Sequence, residues 1–330
     1  MNNYTGNVSV VGVYPWDDIS ICDFTDTRNL ITDIIRFLIA IATYFGNTLI
    51  LISLSKYSKH FKGSLYMFIR HVSIADLLFA IGLTLRLVSD VWPSMQENSY
   101  YCFIRISCVC VSLYHSNKML LLISVDRFCA IVFPIKHLVK SVKKRRTRIL
   151  IAITWMMSIL SGCVPNAVQI DLTSSVMERG CMYASVIPNR MAVGAAIMIP
   201  IQFTINIVLC VIIVVRLKTN TMSQRKFHNC ATKCGFMINV YVMFALCWTP
   251  FVIVTFVRIN TSSIERKTEL MCQTEYVLIL GFLSSAMNWV IYGLANVKFR
   301  RAFKKIVLCD FKTAIVADTY RVHYHTSPSS

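Results

Sequence analysis

Two groups of polar residues sit where apolar chain surrounds them, and both have the composition to do chemistry. The stretch "LLLISVDRFCAIVFP" (Leu120–Pro134) carries Asp126 and Arg127 side by side. Ionised side chains are costly in hydrocarbon, so those kept there point to function. An adjacent carboxylate and guanidinium neutralise each other, and opening the pair leaves Arg127 to meet another group, a two-state element. The plainer reading is an anchor at the end of a span, with both side chains snorkelling to the interface. The second group is Asp76 in "HVSIADLLFA", Ser116 in "YHSNK", and Ser284, Ser285 and Asn288 in "FLSSAMNW". They fall at comparable depths on three apolar segments. A carboxylate, hydroxyls and an amide suit a sodium ion or an ordered water cluster; interhelical hydrogen bonding is the alternative.

The elements that must position these residues are read from hydropathy. The chain has 330 residues, 55% of them hydrophobic and only 15% charged. A soluble domain carries about 25% charged residues, so the class expected is a membrane protein. A helix needs roughly 20 apolar residues to cross the hydrocarbon. Seven segments qualify: Ile34–Leu54, Leu65–Val88, Cys102–Val125, Ile149–Val168, Met191–Val215, Cys234–Val257 and Tyr276–Leu294. The net charge of +18 does not imply nucleic acid, because the basic residues lie in short blocks between apolar runs. Those blocks include Lys56, Lys59 and Lys62, then Lys143 to Arg146, then Arg225 and Lys226, then Lys298 to Lys305. The opposite connections are mixed or acidic, with Asp17, Asp18, Asp23 and Asp26 before the first span. Lys/Arg excess marks the cytoplasmic side, so the N-terminus is expected outside and the C-terminus inside. Met1 is followed by a polar segment, so no cleaved leader is expected. Asn3, Asn7 and Asn260 begin glycosylation sequons on segments expected outside.

The fold expected is all-α: a seven-transmembrane helix bundle followed by a short amphipathic helix. Its parts are an extracellular N-terminus (1–33), the bundle (34–295), the membrane-surface helix (296–309) and a cytoplasmic tail (310–330). The surface helix is read from "GLANVKFRRAFKKI", which alternates basic and apolar residues at helical spacing. Cys309 just beyond is a palmitoylation candidate. In the sixth span, "MFALCWTPFVIV" places Phe244 and Trp248 one turn apart beside Pro250. Proline removes a backbone hydrogen bond and kinks a helix, so a bent helix with aromatics beneath a cavity can serve as a lever. Most of the 13 cysteines lie in apolar runs and read as small packing residues. Three arginines, Arg86, Arg105 and Arg258, occupy the outward halves of their spans. If they converge, bidentate pairing favours an anion such as a lipid acid, a nucleotide or a peptide carboxylate. If they do not, pairing with interfacial acids such as Asp90 accounts for them. With Val109, Leu113 and Trp248 they make up the candidate ligand contacts.

These motifs resemble the rhodopsin-like (class A) G-protein-coupled receptors from about Ile34 to Cys309. The residues that carry the likeness are Gly46-Asn47, "SIAD" with Asp76, Cys102, "DRF", Trp155, Pro200, "FALCWTP", "NWVIY" and "KFRRAF". The resemblance implies that Asp126 restrains Arg127 until activation, with Asn288 and Tyr292 sharing in the coupling switch. It implies an activation lever of Phe244, Trp248, Pro250 and Pro200, and a sodium pocket at Asp76. It implies a disulfide between Cys102 and Cys181; Cys22 and Cys272 could form a second outer bridge, of a kind commoner in the family's peptide receptors. It also implies a plasma-membrane location, contact with membrane lipids, and a heterotrimeric G protein, an arrestin and a receptor kinase as partners. No catalytic site, resident metal or cofactor beyond a sodium ion is expected.

The chain departs from the family pattern at several points. Trp289 replaces the proline after Asn288, Phe128 replaces a tyrosine, and Asn117 stands where an aliphatic partner of Pro200 and Phe244 is usual. Val208 stands where a tyrosine is frequent, the Cys230 region lacks an acid to hold Arg127, and Lys118 lies in mid-span. Val109, seven residues after Cys102, excludes an amine receptor, and "LGFLSSAMNW" has no lysine for a retinal Schiff base. The segments "YGLANVKFRRAFKKI" and "FALCWTP" are similar to melatonin-like and other small-molecule receptors, which leaves an anionic small molecule and a peptide both open. A transporter would need a continuous polar path, and a non-signalling scavenger or chaperone would not need Asp126-Arg127. An enzyme is not expected, because no metal-ligand cluster or nucleophile–base spacing stands out.

Overall fold

Helix alone accounts for the regular structure among the residues that the computed structural model describes, 26–132, 140–172, 181, 189–219 and 224–308. The long helices are α1 (Asp26–Lys56), α2 (Ser64–Val91), α3 (Ser99–Val132), α4 (Lys140–Leu172), α5 (Asn189–Thr219), α6 (Gln224–Asn260) and α7 (Ile264–Ala295). A shorter α8 (Val297–Val307) follows, and a single turn, Ser94–Glu97, precedes α3. Each of α1 to α7 contains a stretch long and apolar enough to cross a membrane, as the hydropathy reading requires. The helices outrun the apolar segments. α7 starts at Ile264, twelve residues before Tyr276, through "IERKTELMCQTE". Glu, Lys, Leu and Met are strong helix formers, so helix continues where hydropathy stops. Ser263 caps this start, its hydroxyl accepting from the Arg266 N–H at 3.4 Å.

The turn into α2 shows one local rule clearly. Gly63 has φ 114°, a conformation nearly reserved for glycine, and it delivers Ser64 to the first position of α2. At the other end of the chain Asn296 ends α7 and caps α8, its side chain accepting from Lys298 N–H at 3.0 Å. α8 then lays Phe299, Ala302 and Phe303 into the bundle. Phe299 is wholly buried and packs on Phe61, Tyr66 and Tyr292. Its basic residues Arg300, Arg301 and Lys304 stay on the outer face.

α3 is the central post: it packs against α2, α4 and α5, while α1 closes the ring against α2 and α7 and α6 bridges α5 and α7. Among the described residues α4 and α5 are not one of the extensively packed pairs. The core is two apolar clusters. One, around Phe79, Ile106, Cys102, Trp248 and Phe282, lies toward the Cys102 end. The other, around Ile50, Phe68, Met119, Tyr241, Tyr292 and Phe299, lies toward the Arg127 end. A layer of buried polar residues, Asn47, Asp76 and Ser285, separates them.

Candidate functional site

At the Arg127 end, Asp126 is 6% exposed and ion-paired with its neighbour Arg127. Adjacent residues on a helix do not normally face each other, and here a third group closes the arrangement. Ser64 of α2 donates to Asp126 Oδ2 at 2.7 Å and accepts from Arg127 Nη2 at 3.1 Å. The pair is therefore closed and tied to α2. Ser64 escapes a reading by charge, although a serine placed directly after a turn glycine was a usable signal.

α6 is tied to α3 nearby. Tyr241, 5% exposed, donates its hydroxyl to the Leu120 carbonyl at 2.5 Å and shares a hydrogen bond with Ser124 Oγ. Tyr241 also escaped the sequence reading, because an aromatic residue in an apolar span looks like packing. The Cys230 region, noted for lacking an acid, lies where side chains are not described.

In mid-bundle, Asp76 is 1% exposed. It accepts from Asn288 Nδ2 at 2.7 Å and from Ser116 Oγ at 3.3 Å. A cavity of about 20 Å³ adjoins it, lined by Asp76, Ser116, Ser284, Ser285 and Asn288. Such a volume holds about one water-sized species. The residues grouped by depth in the sequence thus meet at one point, although Ser284 spends its hydroxyl on the Gly281 carbonyl at 2.7 Å. Tyr292 is 1% exposed and stacks on Phe299, 5.5 Å between ring centroids.

Toward the Cys102 end lies a cavity of about 440 Å³, in the size range of ligand pockets. Its wall is mostly apolar, with Leu113, Trp248, Phe251 and Leu278, and it holds two cationic side chains, Lys118 and Arg258. Phe244 and Leu113 line both this cavity and the small polar one. They form a shared partition. Phe244 lies 5.9 Å from Trp248, which meets Phe251 edge-on at 5.7 Å. Pro200 is exposed on α5, and Pro250 lies inside the continuous α6. Asn117 accepts from Gln202 Nε2 at 2.6 Å, so a polar clasp between α3 and α5 occupies the position where an aliphatic contact was expected.

The three arginines do not converge on this cavity. Arg86 pairs with Asp90 at 3.2 Å and reaches the Cys181 carbonyl at 3.4 Å. Arg105 is fully buried, with Ser89 of α2 at 3.5 Å. Only Arg258 joins the lining. Val109 is buried against Gly82 of α2, leaving Leu113 and Trp248 as the lining members of the apolar candidates. Above the cavity, Cys102 and Cys181 are disulfide-bonded with their Cα atoms 5.7 Å apart. Cys272 is also disulfide-bonded; Cys22, its expected partner, lies outside the described residues, as do Asn3, Asn7 and Cys309. Asn260 ends α6 with its side chain donating to the Phe256 carbonyl at 2.9 Å.

Trp289 turns toward α1, where it meets Phe45 edge-on at 5.5 Å between centroids and covers Gly46 so closely that a methyl group there would overlap the indole. Trp155 donates to His71 Nδ1 at 3.1 Å and stacks on His115 at 3.8 Å, clasping α2, α3 and α4 together.

Residues 46–292 match the family described as "7 transmembrane receptor (rhodopsin family)". Somatostatin receptor type 5 of Rattus norvegicus is 24% identical over 325 residues, 93% of this chain and 85% of that protein. Somatostatin receptor type 2 of Mus musculus is 24% identical over 307 residues, 89% of this chain and 81% of that protein. Somatostatin receptor type 5 of Mus musculus is 25% identical over 296 residues, 86% of this chain and 78% of that protein.

Proposed function

The chain belongs to the rhodopsin family of seven-transmembrane receptors, G-protein-coupled receptors rather than enzymes, and we propose that it binds an extracellular ligand in the 440 Å³ cavity and activates a heterotrimeric G protein. In this reading it spans the plasma membrane with the N-terminus outside, as the Lys/Arg distribution requires.

The observation that carries the reading is the partition. Phe244 and Leu113 face the large cavity on one side and the Asp76 cavity on the other. A ligand pressing on Trp248 and Phe251 displaces Phe244, and with it α6. Tyr241 is one turn further along α6, so the same movement breaks its hydrogen bonds to Leu120 and Ser124. Release of α6 then opens room for Arg127 to leave Asp126 and Ser64 and meet the G protein. The closed Asp126–Arg127–Ser64 lock is the resting state of this switch. Asp76, with Ser116 and Asn288, would hold a sodium ion in the small polar cavity; an ion bound preferentially to the resting state would lower agonist affinity by binding linkage. Arrestin and a receptor kinase act on the activated form, as the family implies.

The relatives are named for somatostatin. In this chain the cavity offers two cations, Arg258 and Lys118, which favours an anionic ligand. The test is G-protein activation in cells, normalised to surface level, across acidic lipids, nucleotides and peptides. Ligand-dependent activation that Arg127→Ala abolishes is the expected result. Absence of activation by every ligand and of basal activity, at full surface expression, overturns the signalling reading in favour of a receptor that only binds.

A further inference from the structure

Lys118 lines the cavity, and the switch does not use it. It lies two residues after Ser116, which donates to Asp76 in mid-bundle, and seven before Val125, where the third apolar segment ends, roughly 10 Å along a helix rising about 1.5 Å per residue. The hydrocarbon is about 30 Å thick, so Lys118 lies within it, at the level of the Asp76 layer. Its partners are the Ser158 hydroxyl at 3.4 Å and the face of Tyr114 at 5.5 Å. Neither neutralises a charge, and no carboxylate pairs with Lys118 among the described residues.

The wall beside Lys118 is incomplete. Lys118 and Ser161 line the cavity together with Met198 of α5. Met198 is 64% exposed although it lines the cavity, so the cavity is open on its α5 side. Among the described residues α4 and α5 are not one of the extensively packed helix pairs. The opening is apolar, and the group waiting inside it is a cation.

From this juxtaposition we propose that the cavity takes a long-chain carboxylic acid, admitted from the bilayer between α4 and α5, with its carboxylate on Lys118 and its chain along Leu113, Trp248 and Phe251. The acid crosses the opening protonated and uncharged. It ionises beside Lys118, the proton leaving to water through the cavity, and the carboxylate forms a charge-assisted hydrogen bond with the ammonium. The chain covers the Trp248 end of the lever. The inference rests on the receptor reading for its consequence, but the binding itself does not.

The test uses the full-length receptor in phosphatidylcholine nanodiscs with a photoreactive palmitic acid analogue, and no G protein. Saturable labelling of the segment around Ser161 or Met198 is expected, competed by palmitic acid and weakly by hexadecanol. Lys118→Met should weaken palmitic acid competition about tenfold or more, the loss of a charge-assisted pair, while Lys118→Arg keeps it within about threefold and hexadecanol competes alike in all three. Ser161→Trp, which keeps Lys118 and fills the opening, should abolish labelling around Met198, and it carries the test if Lys118→Met fails to fold. Labelling that does not saturate, equal competition in Lys118→Met and parent, or loss with Arg258→Met in place of Lys118→Met, each overturns the proposal. Saturable labelling in a receptor that never activates a G protein would sink the signalling reading alone.

Discussion

Asp76 and Lys118 are single charges carried at mid-membrane depth, and the protein treats them in opposite ways. Asp76 points inward, where Asn288 and Ser116 on two other helices donate to both of its oxygens. Lys118 points to the α4–α5 side, where one hydroxyl at 3.4 Å is its only hydrogen-bond partner among the described residues. The difference is one of solvation by the fold. A charge whose partners are built in is part of the structure, and losing it orphans those partners. A charge whose partners are not built in costs the fold free energy, and such a cost persists where a ligand offsets it.

The contrast predicts opposite signs. The largest effect should come from Asp76→Leu, which leaves Asn288 Nδ2 and Ser116 Oγ facing an apolar group. At about 1–3 kcal/mol for each orphaned donor, the purified receptor should lose several degrees of thermal stability; an unchanged melting temperature would erase the distinction. Next, Lys118→Met should hold or raise thermal stability by about 1 kcal/mol, because the insertion cost of a central lysine, about 2.5–3.5 kcal/mol, is removed with no built-in partner lost. A destabilised Lys118→Met would show that Ser158 and Tyr114 solvate the ammonium better than their distances suggest. A milder substitution sharpens the Asp76 side: Asp76→Asn keeps the shape but not the charge, so any sodium dependence of agonist affinity should vanish while folding survives.

Smaller effects belong to the latches downstream. Tyr241→Phe removes the hydroxyl shared by Leu120 and Ser124 but keeps the ring. A net hydrogen bond contributes about 1 kcal/mol, so basal G-protein activation should rise about fivefold at equal surface level. No rise would move the restraint on α6 elsewhere. Trp289→Pro should alter basal activation least, by shifting the flexibility of α7 near Asn288 and Tyr292, with the receptor still at the surface.

Much of this architecture was legible because membrane crossing imposes a coarse rule, a run of apolar residues for each span, and Asp76, Ser116 and Asn288 share a depth that hydropathy alone reveals. Helix ends were less legible, since α6 and α7 continue through polar residues that favour helix as strongly as apolar ones. Azimuth was the least legible. Arg86, Arg105 and Arg258 have similar depths, yet one turn of a helix decides between Asp90, Ser89 and the cavity. Ser64 and Tyr241 were missed for a related reason. A hydroxyl becomes a clasp only when another helix brings a partner to it, and nothing in its own neighbourhood records that.

Gly46 and Trp289 have a consequence that reaches beyond one molecule. The indole rests where a side chain at 46 would stand, so the two positions are not free to drift separately. While tryptophan is at 289, every other residue at 46 is barred by sheer bulk. If an ancestor or descendant carried proline at 289, the indole's part of that bar would lift. A substitution at one site thereby decides which substitutions the other can inherit, and the order in which they arise becomes as binding as their identity.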